Sequence, residues 1–254
     1  MTEIGIITDR SGAPERIGRV AALDIARTMA LLAMAVFHFV FDLELFGFVA
    51  PGTIFSAGWR GLAVGTAGSF ILLAGVGLVL AHGAGIRWTA FWRRLAMVAG
   101  AAGAISAVTF FAMPGSMIFF GILHAIAAMS LIGLALLRVP VLVLLALAVF
   151  AFSAPMWLRD PVFNAPWLWW TGLQTVGIRA MDYEPIFPWI APFLVGMAGG
   201  KLAVARGWVE RLAARPTTPL QQWLSWPGRH SLAVYLIHQP VLVALVWIAA
   251  QVLR

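Results

Sequence analysis

The 254 residues are 62% hydrophobic and only 11% charged, with a mean hydropathy of +0.93. Soluble domains carry about a quarter charged residues, so this composition excludes an ordinary soluble domain and places the chain in a bilayer. Cysteine is absent, which removes disulfides and thiolate metal sites, and the net charge of +7 reads as loop asymmetry, not as a nucleic-acid surface.

In chain order, residues 1–19 are polar and read as a flexible cytoplasmic tail. They are not a cleavable signal, because the apolar run that follows is long and lacks a small-residue cleavage site. Seven apolar spans follow, near 20–46, 61–82, 91–112, 116–137, 139–157, 185–205 and 230–252. Each is close to the roughly 20 residues that cross a hydrocarbon core. The fifth has almost no loop before it, only Arg138-Val139-Pro140. Residues 20–254 therefore read as a single all-α, polytopic membrane helix bundle.

Loop charge gives the bundle a direction. With the N-terminus cytoplasmic, the inner side collects Arg10, Arg16, Arg19, Arg87, Arg93, Arg94, Arg138, Lys201, Arg206, Arg211, Arg215 and Arg229. The outer side receives Arg60, Arg159, Arg179 and Arg254, twelve cations against four. That bias predicts an N-terminus inside and a C-terminus outside.

The first span carries "LDIARTMALLAMAVFHFVFD". At 100° per residue, Asp24, Arg27, His38 and Asp42 fall within an arc of about 60° and extend over about 27 Å. Ionisable groups are costly against lipid, so this stripe is expected to face protein or a water-filled cavity. Asp24 and Arg27 lie one turn apart near the inner interface and can pair. His38 lies in the outer half, where Asp42 can hold one ring nitrogen and leave the other free as a base.

The fourth span has His124 at a depth like that of His38, which suggests a common cavity; a zinc pair lacks a third ligand, so no metal is expected. The outer segment 158–184 holds Trp167, Trp169 and Trp170, either interfacial or able to stack on a sugar. Asp182 and Glu184 form an acidic spot at the outer mouth. Pro185, Pro188 and Pro192 predict a bent start to the sixth span. Gly75 and Gly77, with Gly196, Gly199 and Gly200, predict close helix packing. In the last span Ser231, Tyr235 and His238 share a face, and Pro240 predicts a kink just beyond His238. Arg229, with Arg87, Arg93 and Arg94, can receive a phosphorylated ligand at the inner surface, or simply set topology.

Five stretches carry a family likeness: "RVAALDIARTMALLAMAVFHFVFDLELFG", "GSFILLAGVGL", "FFGILHAIA", "DYEPIFPWIAPFLVGMAGG" and "GRHSLAVYLIHQP". Together they resemble bacterial members of the heparan-alpha-glucosaminide N-acetyltransferase catalytic-domain family. The spacing of Arg27 and His38 is similar, more distantly, to the R-x10-H signature of the acyltransferase 3 family. The resemblance implies transfer of an acetyl group from cytoplasmic acetyl-CoA to a sugar or glycan on the far side. It puts His38, Asp42 and Arg27 at the catalytic centre, with Asp24, His124, Asp182, Tyr235, His238 and Ser231 lining it and the four inner arginines near the acyl-CoA. The loop after the first span, "VAPGTIFSAGWRG", holds no histidine, and by the likeness to the acyltransferase 3 signature His38 is the candidate base. Membrane lipid, the acyl donor and the acceptor are the expected partners, without nucleic acid; a homo-oligomer is left open. The alternative from the residues alone is a proton-coupled transporter using the same stripe as a relay.

Overall fold

A computed structural model describes residues 20–253; the expected tail at 1–19, with its arginines, and Arg254 lie outside the described residues. Nine α-helices form within them: α1 (Ala21–Leu45), α2 (Ala57–His82), α3 (Trp88–Ala112), α4 (Ile122–Ala135), α5 (Val141–Ser153), α6 (Ile186–Ala205), α7 (Trp208–Ala213), α8 (Pro219–Arg229) and α9 (Ser231–Leu253). No strand is present among the described residues, apart from one isolated bridge between Phe120 and Tyr183. The all-α expectation therefore holds.

Five helices, α1, α2, α3, α6 and α9, are long and apolar enough to cross a membrane. At the expected fourth and fifth spans stand shorter apolar helices, 14 residues in α4 and 13 in α5. Each is only about 20 Å long at 1.5 Å per residue. The reason is local. The chain before α4 runs extended beside the outer segment, with Met181 N–H donating to Ser116 O (3.2 Å) and Glu184 N–H to Phe120 O (3.0 Å). α5 is bounded by Pro140, its N-cap, and by Pro155 in the 3-10 turn that follows.

α6 is the hub, packed on α2, α5 and α4, with half of its most apolar stretch buried. Two glycines make the α2–α6 contact a backbone contact. A Cβ on Gly75 would lie 2.1 Å from Phe193 O, and one on Gly196 would lie 2.1 Å from Leu72 O. Gly200 also faces α2, at Val76 and Val79, whereas Gly199 meets open space. Gly77 departs from the packing expectation: its missing side chain leaves room for Arg27 and Arg94. The start of α6 is bent as its prolines predict, with Phe187 outside helical geometry (φ −99°, ψ 127°).

α3 and α9 lie at the periphery and leave residues such as Phe111, Trp247 and Val252 exposed, as lipid-facing helices do. The 206–229 segment folds into α7 and α8. α8 starts at a reciprocal cap between Thr218 and Gln221, with Pro219 at its first position. It crosses α1 at Gly228, where a Cβ would collide with Asp24 O, 1.8 Å away. Thr28 seals the crossing, donating to Leu224 O (2.7 Å) and accepting from Gly228 N–H (2.9 Å). α9 continues through Pro240 to Leu253 beside α1.

Candidate functional site

α1 carries two polar centres, and helix geometry separates Arg27 from His38 by about 16 Å. At the first, Arg27 Nη1 donates to Asp24 Oδ1 at 2.9 Å, and Asp24 is 3% exposed. This pairing within one turn is the one its spacing predicts. Arg94 of α3 converges on the same place: the position of a Cβ on Gly77 lies 3.3 Å from Arg27 Nη2 and 3.7 Å from Arg94 Nη1. A larger residue at 77 would fill the space where the two guanidinium groups meet. Arg94 also lines a shallow cleft between α2, α3 and α4 with His82, Leu78 and Ser130. Among the described residues, two cations converge beside one carboxylate, a net-positive pocket suited to phosphate.

The other inner arginines are not drawn in. Arg87 donates Nε–H to Ala81 O (3.1 Å) and its amide to His82 Nδ1 (3.2 Å). Arg229 folds back onto Gln222 O (2.8 Å). Arg93 is exposed on the α3 surface. Of the four expected phosphate ligands, Arg94 is the one the fold brings to Arg27.

The second centre lies between α1 and α9. His38 Nδ1 is 3.1 Å from His238 Nε2 and 3.1 Å from Met34 O. His238 Nδ1 in turn is 2.5 Å from Tyr235 O. A carbonyl oxygen can only accept, so His238 carries its proton on Nδ1 and presents Nε2 as an acceptor. His38 then donates its Nδ1 proton to this pair of acceptors and keeps the Nε2 lone pair. No hydrogen bond among the described residues uses His38 Nε2. A neutral imidazole tied at Nδ1 and open at Nε2 is the form needed to accept a proton from a substrate.

This corrects one expectation. Asp42 does not hold the His38 ring; it accepts from Gln239 Nε2 at 2.8 Å and has no exposed surface. The reason is register. α9 lies against α1 so that His238 meets His38 and the next residue, Gln239, meets Asp42. His238 takes the orienting place that the sequence assigns to the carboxylate.

His124 is likewise not in a common cavity with His38 by any contact among the described residues. It accepts the Gly121 amide at Nδ1 (3.3 Å) and faces Ser106 Oγ at Nε2 (3.2 Å), while Ser106 donates to Ile118 O (2.6 Å). Asp182 Oδ2 accepts from Ile122 N–H at 3.0 Å. His124 and Asp182 thus satisfy two of the free amides at the N-terminus of α4. Gly121 is required here, since a Cβ would fall 2.1 Å from Asp182 Oδ2.

Burial pushes the Asp182 carboxyl up to about 6. Burial, with the neighbouring Asp182 charge, pushes Glu184 up to about 9. Tyr235 joins this cluster to the histidines: it lines a cleft with Gly121, His124 and Asp182, and its ring lies 5.7 Å from that of His238. Ser231 opens α9 two turns from His238, and its hydroxyl makes no hydrogen bond among the described residues. Above α4, Tyr183 donates to Trp169 O (2.6 Å) and both rings pack on Phe119, while Trp167 is 76% exposed.

Gln239, His82, Ser106 and the role of Gly77 are absent from the sequence reading. Gln239 had a usable signal, a polar residue directly after an intramembrane histidine. The partners of the others are set by neighbouring helices.

The sequence model described as heparan-alpha-glucosaminide N-acetyltransferase, catalytic, matches residues 19–240, which includes both centres. No curated protein and no solved structure matches the chain.

Proposed function

The chain belongs to the heparan-alpha-glucosaminide N-acetyltransferase catalytic family, which makes it a membrane-bound acetyltransferase, and from that premise we propose the following reaction. Acetyl-CoA is the donor and binds from the cytoplasmic side at the Arg27 end. A sugar or glycan is the acceptor and approaches from the outer side at the His38 end. The orientation rests on the cation asymmetry of the loops, with N-terminus in, C-terminus out and α4 and α5 completing seven crossings of a bacterial inner membrane. Residues 20–254 act as one domain.

Arg27 and Arg94 hold a phosphate group of the donor. The distance of about 16 Å along α1 from Arg27 to His38 is one that an extended phosphopantetheine arm spans. His38 Nε2 takes the proton from the acceptor hydroxyl or amine as that atom attacks the thioester carbonyl. The new acyl bond forms, the carbon–sulfur bond breaks, and the leaving CoA thiolate is protonated as His38 returns to neutral. His238 Nε2 accepts from His38 Nδ1 throughout and stabilises the transient imidazolium. The observation that carries this reading is the state of His38, fixed at Nδ1 and open at Nε2 in a chain of this family. A transporter using the same stripe draws no support from the family match.

The test incubates purified protein with acetyl-labelled acetyl-CoA, with and without amino-sugar and sugar acceptors. CoA release with label on the acceptor is the expected result. No release and no labelled product with any acceptor would overturn the reading.

A further inference from the structure

Asp42 is completely buried, and among the described residues no cation pairs with it. The ionisable groups on the elements packed around it do not serve either. Glu44 on α1 is turned to the amides of Gly52 and Ile54, Arg60 on α2 is exposed and His82 lies at the Arg27 end. His38 and His238 are bonded to each other. An ionised carboxylate without a cation is strongly disfavoured in such a place.

The hydrogen bonds show where a proton fits. Asp42 Oδ1 accepts from Gln239 Nε2. Asp42 Oδ2 and Gln239 Oε1 are both buried acceptors, and neither has a donor. A single proton on Oδ2, shared with Oε1, would satisfy both orphan acceptors on this pair of side chains. An acid O–H then faces an amide C=O while the amide N–H faces the acid C=O.

We propose that Asp42 is held as a neutral carboxylic acid in a reciprocal acid–amide pair with Gln239, and that this pair is the clamp that sets His238 of α9 against His38 of α1. Asp42 is then a positioning residue. Its proton does not depend on the acetyl-transfer reading, whereas the value of the clamp to catalysis rests on it.

Infrared difference spectroscopy of the full chain in lipid tests the proton. Glu184 contributes a protonated-carboxyl band of its own, so the expected result is a C=O component at neutral pH that is lost in Asp42→Asn; a carboxyl band unchanged by that substitution overturns the proposal. Thermal unfolding and acetyl transfer test the clamp. Asparagine offers the same donor and acceptor, so Asp42→Asn should unfold like the unmodified chain and keep transfer within about threefold. Asp42→Ala and Gln239→Leu should each lower transfer by about tenfold or more and unfold earlier. Equal loss in Asp42→Asn and Asp42→Ala would overturn the clamp and make Asp42 an ionised partner. If the unmodified chain transfers no acetyl group, the transfer reading fails, while the infrared and unfolding results still decide the pair.

Discussion

The two centres on α1 manage burial in opposite ways. At the Arg27 end charge meets charge: Asp24 and Arg27 pair at 2.9 Å, and Arg94 adds a second guanidinium across Gly77. At the His38 end the groups are bonded side to side, His38 with His238 and Asp42 with Gln239, and no salt bridge is found there among the described residues. On the proposed reaction, the difference matches what each end would handle. A fixed anionic group is held by fixed cations, whereas a proton is best taken up by a neutral ring whose second nitrogen is already satisfied. A stripe that reads as four charges in sequence is thus an ion pair followed by a hydrogen-bonded pair of helices.

The contrast can be broken most directly at the His38 end. Replacing His38 by Ala should lower kcat about 10²–10⁴-fold, the usual worth of general base catalysis, with KM for acetyl-CoA unchanged. Labelled-acetyl transfer at several donor concentrations measures both, and undiminished kcat would remove His38 from the chemistry. Arg94→Ala should do the reverse, raising KM for acetyl-CoA about 10- to 100-fold, in line with loss of a charge-assisted hydrogen bond, and leaving kcat in place. If both variants change the same parameter, the division of labour between the ends is wrong.

Two glycines half a turn apart on α2 sharpen the comparison further. Gly75→Ala must push against the backbone of α6 and should destabilise the fold by about 1–3 kcal/mol, seen as a lower unfolding temperature. Gly77→Ala meets only the ends of two arginines, so unfolding should be unchanged, with a few-fold rise in KM for acetyl-CoA. The smallest effect is expected from pH. Glu184 is neutral in the fold until pH rises through about 9, against an ordinary value of 4.5. The stability gained from that neutral form is therefore present below the ordinary value and lost as pH climbs through about 9. Glu184→Gln cannot ionise, so between pH 4.5 and about 9 its unfolding temperature should fall less than that of the unmodified chain. Parallel curves for both proteins would remove Glu184 as the titrating group.

Much of the site is legible in the sequence. The Asp24–Arg27 pair follows from one turn of helix, and the bent start of α6 follows from its prolines. Close packing at Gly75, Gly196 and Gly200 follows from their size. What misleads is proximity along the chain. Asp42 stands one turn from His38 and looks like its partner, and His124 stands at a similar depth and looks like its neighbour. In the fold each has a nearer claim on it, Gln239 for Asp42 and the α4 amide for His124. The seven expected spans appear as five full helices and two short ones, because the chain before α4 pairs in extended form with the outer segment and the prolines at 140 and 155 bound α5.

Composition and helical period by themselves determined that this is an all-α membrane protein with one polar face on α1, since both depend only on residue type and on 3.6 residues per turn. The motifs carried the family. The pairing of that face was decided by tertiary structure alone. Whether His38 meets a carboxylate or another imidazole depends on how far α9 slides along α1, and that offset is set by contacts some 200 residues apart: Gly228 on Asp24, Thr28 on Leu224, His238 on His38. No local propensity encodes such an offset. It emerges only when glycine lets two backbones touch and buried polar groups find the partners that leave the fewest unsatisfied.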